Sequence, residues 1–72
     1  MAIAKEAYFR NPGNGNQQAV VLYADGSTVI WDRTGSKRAS AGGDRFDEYC
    51  RQMLNNGYEA DPNPGWQAPE NP

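Results

Sequence analysis

The stretch QQAVVLYADGSTVIWD, residues 17–32, decides the fold. Two runs rich in β-branched and aromatic residues flank Asp25-Gly26, and such a dipeptide between apolar runs is a strong signal for a β-hairpin. A two-residue type I′ turn at this point pairs Leu22 with Val29. Because side chains alternate along a strand, the ribbon has two faces. The predicted core face carries Val20, Leu22, Val29 and Trp31.

The opposite face of the ribbon is also largely apolar, with Ala19, Val21, Tyr23, Thr28, Ile30 and Asp32 in the same register. An exposed apolar surface on a small domain is typical of an interaction site. We therefore predict that this face binds an unidentified protein or a second copy of the chain, which gives a homodimer. The predicted contact residues are Val21, Tyr23, Thr28 and Ile30. The alternative is that the chain covers this face itself, with Trp66 and the C-terminal segment or with Tyr58.

A helix is predicted over residues 44–55. Apolar residues recur there at the spacing of one helical face, namely Phe46, Tyr49, Cys50, Met53 and Leu54. Asp44 is a favourable N-cap residue, because its carboxylate can accept a free backbone N–H. Gly57 suits the left-handed position that ends a helix, and Tyr58 is then placed to fold back onto Met53. The helix is expected to lie across the core face of the hairpin.

The remaining segments are assigned from their composition. Residues 3–10 are predicted as a strand, although their Ala, Lys and Glu residues also permit a helix. Residues 33–43 are small and polar and are predicted as a long loop. Residues 58–60 are candidates for a short edge strand. Residues 61–72 contain four prolines, which exclude a helix interior and a central strand, so an extended or disordered tail is expected.

Together these elements predict an α+β fold. A three-stranded antiparallel meander carries one C-terminal helix on one face, with a short fourth strand as an option. Residues 1–60 form a single small domain, and residues 61–72 form a proline-rich extended or disordered tail. The predicted core consists of Phe9, Val20, Leu22, Val29, Trp31, Phe46, Tyr49, Met53 and Leu54, with Cys50 as a small filler.

Composition bounds the function. The chain has 72 residues, a net charge of −2, no histidine and one cysteine. Without histidine the commonest general base and metal ligand is missing, so we predict a non-catalytic protein with no cofactor and no metal site. A lone cysteine argues against a disulfide-built secreted scaffold. No signal peptide or membrane span is recognisable, and a cytoplasmic interaction or accessory protein with no membrane partner is the expectation.

Nucleic-acid binding is the alternative function. Small domains of this architecture can present a sheet or aromatic side chains to nucleic acid. Tyr8, Tyr23 and Trp31 could stack on bases. The side chains that could contact phosphates or another anion are Arg10, Arg33, Lys37 and Arg38. The net negative charge argues against this alternative, because affinity for nucleic acid depends largely on neutralising phosphates.

Overall fold

The computed structural model describes residues 2–72 and contains one antiparallel sheet and one helix. The sheet has five strands in the order β4-β3-β2-β1-β5. The α+β class is thereby confirmed, with more strands than the sequence predicted. The elements are β1 (Ile3–Arg10), β2 (Gln17–Tyr23), β3 (Thr28–Asp32), β4 (Lys37–Ala41), α1 (Phe46–Asn55) and β5 (Glu59–Ala60).

The hairpin between β2 and β3 closes through a three-residue loop, Ala24–Gly26, and not through a two-residue turn. The amide of Tyr23 donates to the carbonyl of Ser27 at 2.8 Å, and the amide of Gly26 donates to the carbonyl of Tyr23 at 2.9 Å. Gly26 has φ of 90°, whereas Asp25 does not have the positive φ that a type I′ turn requires. A type I turn followed by a left-handed glycine is the usual three-residue alternative.

This loop shifts the register of the hairpin by one residue. Val21 pairs with Val29, and Ala19 pairs with Trp31, so the predicted Leu22–Val29 pair is wrong. The faces assigned to β2 are unchanged, but those assigned to β3 are exchanged. Val29 and Trp31 lie on the side of Val21, and Ile30 lies on the side of Val20.

The hairpin between β3 and β4 repeats the same loop. The amide of Asp32 donates to the carbonyl of Ser36 at 2.8 Å, and Gly35 has φ of 92°. The prediction of a loop over residues 33–43 is therefore wrong for Lys37–Ala41, which form β4. Lys, Arg, Ala and Ser favour strands weakly, and this edge strand obtains its order from pairing with β3.

The helix begins later than predicted but ends as predicted. Arg45 occupies the N-cap position, and the carboxylate of Asp44 accepts the amide of Phe46 at 3.0 Å. Gly57 has φ of 86°, and the amide of Tyr58 donates back to the carbonyl of Met53 at 3.0 Å. These bonds form the Schellman arrangement that the Asn-Gly-Tyr sequence predicts.

The chain forms three layers. Helix α1 packs on one face of the sheet, and the buried residues of that face are Phe9, Val20, Ile30 and Met53. After α1, strand β5 pairs with the outer edge of β1. Residues 61–72 then pass over the other face of the sheet. Leu54, predicted in the core, is 56% exposed on the outer side of the helix.

Candidate functional site

The face of the sheet opposite the helix, which we call the tail face, is covered by residues 61–72, the tail. Its buried side chains come from the two central strands: Ala19, Val21, Tyr23, Val29 and Trp31. Ala68 of the tail is buried among them, with 4% of its surface exposed. Ile3, Tyr8 and Trp66 pack around this cluster while remaining partly exposed. The face is therefore an aromatic groove that holds a segment of its own chain without regular secondary structure.

Two residues of the sheet guide the first half of the tail. The backbone carbonyl of Tyr8 accepts the amide of Asp61 at 2.8 Å, which continues the pairing of β5 for one residue. The side-chain amide of Gln17 donates to the carbonyl of Pro64 at 3.1 Å. The indole of Trp66 then meets the ring of Tyr8 edge to face, with the ring centres 5.2 Å apart. Such aromatic pairs add about 0.5–1.5 kcal/mol beyond the area that they bury.

Two tyrosine hydroxyls hold the second half of the tail. The hydroxyl of Tyr8 accepts the amide of Ala68 at 2.9 Å. The hydroxyl of Tyr23 accepts the indole N–H of Trp31 at 2.6 Å and donates to the carbonyl of Pro69 at 2.7 Å. Proline has no backbone N–H and interrupts regular backbone pairing, so a side-chain donor of this kind is a suitable partner for a carbonyl of a proline-rich segment.

Burial and a nearby carboxylate raise the pKa of both tyrosine hydroxyls. Burial raises the pKa of the Tyr8 hydroxyl above its ordinary value of 10.0, and the charge of Glu6 raises this pKa further. The pKa of Tyr23 is raised by burial and by Glu6 in the same way, while the Trp31 hydrogen bond acts in the opposite direction. Glu6 therefore contributes a negative charge to the groove without being part of the apolar cluster.

We expect tail docking to weaken as the pH rises above about 10. A raised pKa means that the folded state retains a proton that the unfolded state has lost, so this stabilisation is complete below pH 10.0 and is lost as the pH rises through the higher folded value. Urea unfolding at pH 8 and at pH 11 measures the loss. The variant Tyr23→Phe should show a smaller loss between these values. An equal loss in the variant and the wild type would contradict this explanation.

The indole N–H of Trp66 has no acceptor although the atom is buried, which distinguishes it from the other side-chain nitrogens and oxygens of residues 2–72. An unsatisfied buried donor costs about 1–3 kcal/mol. The seating of the tail on its own sheet is therefore tight at Ala68 but incomplete at Trp66.

The predicted contact residues do not share one face. Val21 and Tyr23 lie on the tail face, whereas Ile30 packs against the helix. The hydroxyl of Thr28 donates to the carbonyl of Gly43 just before the helix. All four predicted residues are at most 7% exposed. The alternative that Trp66 and the tail cover the face is the arrangement observed, and Tyr58 packs on the helix side instead.

The four cationic residues proposed for anion contact are spread over the sheet. Arg10 ends β1, whereas Arg33, Lys37 and Arg38 lie around the β3–β4 loop. Arg33 donates to the side-chain carbonyl of Gln17, and Arg38 is 3.5 Å from the carboxylate of Asp32. The ammonium of Lys37 lies over the ring of Trp31, 5.6 Å from its centre. Nucleic-acid binding stays a prediction that these contacts do not strengthen.

Sequence reasoning missed several residues of the groove. Glu6 was assigned to a strand without a role, Tyr8 was named only as a base-stacking residue of the nucleic-acid alternative, and Ala68 and Pro69 were treated as part of an extended or disordered tail. One signal was available, because a segment with an aromatic residue and a small residue two positions apart matches the alternation of a half-buried extended chain. Trp66 and Ala68 have that spacing.

Other kinds of site find no support in the described part of the chain. Residues 2–72 contain no group of three or more His, Cys, Asp or Glu side chains that could hold a metal ion. Burial raises the pKa of the Cys50 thiol, and Asp47 adds to the effect. None of the helices formed by the described residues is long and apolar enough to cross a membrane. Comparison of the chain with protein-family models, curated proteins and solved structures finds no match.

Proposed function

We propose that this chain is a non-catalytic protein-interaction module whose tail face binds an extended, proline-containing segment of another protein chain. In the state described above the tail occupies the groove, and a partner segment takes its place. The observation that carries the proposal is the hydroxyl of Tyr23, which is oriented by Trp31 and donates to the carbonyl of Pro69.

The chemistry of the groove supports this assignment. Aromatic grooves that bind proline-rich segments combine flat apolar rings with hydrogen-bond donors directed at the ligand's carbonyls. Here Tyr8, Tyr23 and Trp31 supply the rings, and the hydroxyl of Tyr23 supplies the donor. The occupant makes hydrogen bonds to the sheet from Pro64, Ala68 and Pro69.

The other surfaces of the sheet are poorly suited to binding. Edge strand β4 carries Lys37 and Arg38, and its pairing with β3 is irregular between Ile30 and Trp31. Charges and bulges on an edge strand oppose the addition of another strand. The opposite edge, β5, is two residues long. On the helix, Leu54 stands alone as an exposed large apolar side chain, which is normal for a soluble domain.

The occupied groove also defines the segment that it accepts. The bound segment needs an aromatic side chain that packs against the ring of Tyr8, as Trp66 does. Two residues later it needs a small side chain with a free N–H, because Ala68 is 4% exposed and its amide reaches the hydroxyl of Tyr8. The next carbonyl must reach Tyr23, and proline is favoured there because it lowers the entropy lost on binding.

A peptide with the sequence of residues 61–72 tests the proposal. Added to the full-length variant Ala68→Asp, whose own tail is weakened, the peptide is expected to restore the wild-type NMR position of the Trp31 indole N–H. Wild-type protein should bind the same peptide more weakly, because its own tail competes at an effective concentration on the order of millimolar. The readout is a two-dimensional amide spectrum during peptide titration.

The matched control is the same peptide carrying the Ala68→Asp change, which should not shift these signals. A wild-type peptide that leaves the signals of Tyr8, Tyr23 and Trp31 unchanged at millimolar concentration, in both proteins, would refute the proposed function.

A further inference from the structure

We propose that the partner at the tail face is a second copy of this chain, and that two copies exchange their tails reciprocally to form a symmetric dimer. This inference rests on the proposed function and names its partner. In the dimer each groove holds the tail of the other copy, and every contact from Trp66 to Pro69 is formed again.

The short connection between β5 and the docked tail is the first argument. Asp61 is bonded to the backbone of Tyr8, and Trp66 lies against the ring of the same residue. We call residues 62–65 the hinge. The hinge must lead the chain away from Tyr8 and back to the same residue. The return uses Gly65 at φ of 74°. Short hinges held in a closed conformation favour domain swapping, because the opened hinge is free of that constraint.

The incomplete seating of the tail is the second argument. The buried indole N–H of Trp66 has no acceptor when the tail folds back on its own sheet. An opened hinge changes the direction from which residues 62–65 reach Trp66, and the exchange thereby offers the indole a different set of neighbouring carbonyls. Extended, the hinge spans about 13 Å, which is enough to cross between two adjacent sheets.

Charge is the third argument. All seven lysines and arginines precede residue 61, and the tail contributes Asp61 and Glu70, so the tail carries the whole net charge of −2. The remainder of the chain is neutral overall, and two such bodies do not repel each other through net charge. The acidic tail of one copy therefore meets a body without net charge in the other, with Glu6 as the one negative charge assigned to the groove.

Replacement of Gly65 by alanine tests the exchange. Alanine in the left-handed region is strained, and nothing lies within 4 Å of the added methyl group, so the change acts on the closed hinge through the backbone alone. Opening relieves the strain in both copies. Gly65→Ala should lower the dimer dissociation constant by about 25-fold, since roughly fivefold is gained at each of the two hinges. Sedimentation equilibrium from micromolar to millimolar protein measures this change.

Gly15→Ala is the matched control. Gly15 has φ of 76°, also with nothing within 4 Å, but it lies in the loop between β1 and β2. This variant should be destabilised to a similar degree without a change in dimerisation. Insertion of three glycines into the hinge should weaken the dimer, because a longer hinge closes onto its own sheet with less conformational constraint.

A mixture of two differently isotope-labelled copies identifies the contact. Nuclear Overhauser effects between Trp66 of one copy and Tyr8 of the other are expected in the Gly65→Ala dimer. A monomeric Gly65→Ala protein, or a dimer whose tails contact only their own sheets, would overturn this inference. If the free peptide still binds in either case, the proposed function is retained. Only the inference that the partner is a second copy of this chain is then overturned.

Discussion

Ala68→Asp should lower the free energy of unfolding by about 2–4 kcal/mol and release the tail from the sheet. Ala68 is 4% exposed inside an apolar cluster, and a charged carboxylate cannot remain there without a partner. The loss is limited to the docking free energy of the tail, because detachment returns the carboxylate to water. Urea unfolding measures the stability, and amide exchange of residues 61–72 measures the release.

Gln67→Asp provides the control for this prediction. It adds the same charge one residue earlier, at an exposed position, and should change the stability by less than about 0.5 kcal/mol. The helix side of the sheet should keep its native spectrum in both variants. Equal effects of the two substitutions would mean that Ala68 is not buried, and that the tail does not cover the tail face.

Trp31→Ala should destabilise the protein by about 3–5 kcal/mol, the largest effect of a single substitution that we predict. The indole is 6% exposed, and its loss removes both a large buried ring and the donor that orients the hydroxyl of Tyr23. Thermal unfolding followed by circular dichroism measures the effect. Trp31→Phe should lower the stability by less, because phenylalanine retains most of the buried ring while removing the N–H donor to Tyr23.

The same substitution distinguishes the two hairpin registers. In the observed register Trp31 lies under the tail, so Trp31→Ala should shift the amide signals of Ala68 and its neighbours. Ile30→Ala, one residue earlier, should instead shift the methyl signal of Met53 on the helix side. The reverse pattern would restore the two-residue turn and exchange the faces of β3.

The sequence was sufficient for the elements whose signals are local. The apolar spacing of α1 and the Asn-Gly-Tyr ending depend only on neighbouring residues, and both agree with the structure apart from the exposed Leu54. The hairpin was located correctly for the same reason. Its register was not, because Asp-Gly is compatible both with a two-residue turn and with the end of a three-residue loop. The shared pattern of Ala24–Ser27 and Arg33–Ser36, each with Gly followed by Ser, would have revealed the second hairpin.

The candidate site was less accessible to sequence reasoning. Strand β4 has weak intrinsic preference for its conformation and depends on pairing with β3, which is a tertiary effect. The tail depends on contacts to Tyr8 and Tyr23, more than 40 residues earlier in the chain. The proline-rich sequence of residues 61–72 does not by itself indicate which distant residues it contacts. The sequence therefore predicted the second apolar face, but it did not decide whether that face is exposed to solvent or covered by the chain itself.

The position of the tail after every strand has a consequence for biosynthesis. A ribosome synthesises all the residues of the groove before it reaches Trp66 and Ala68, so the nascent sheet has an uncovered aromatic surface while its hairpins form.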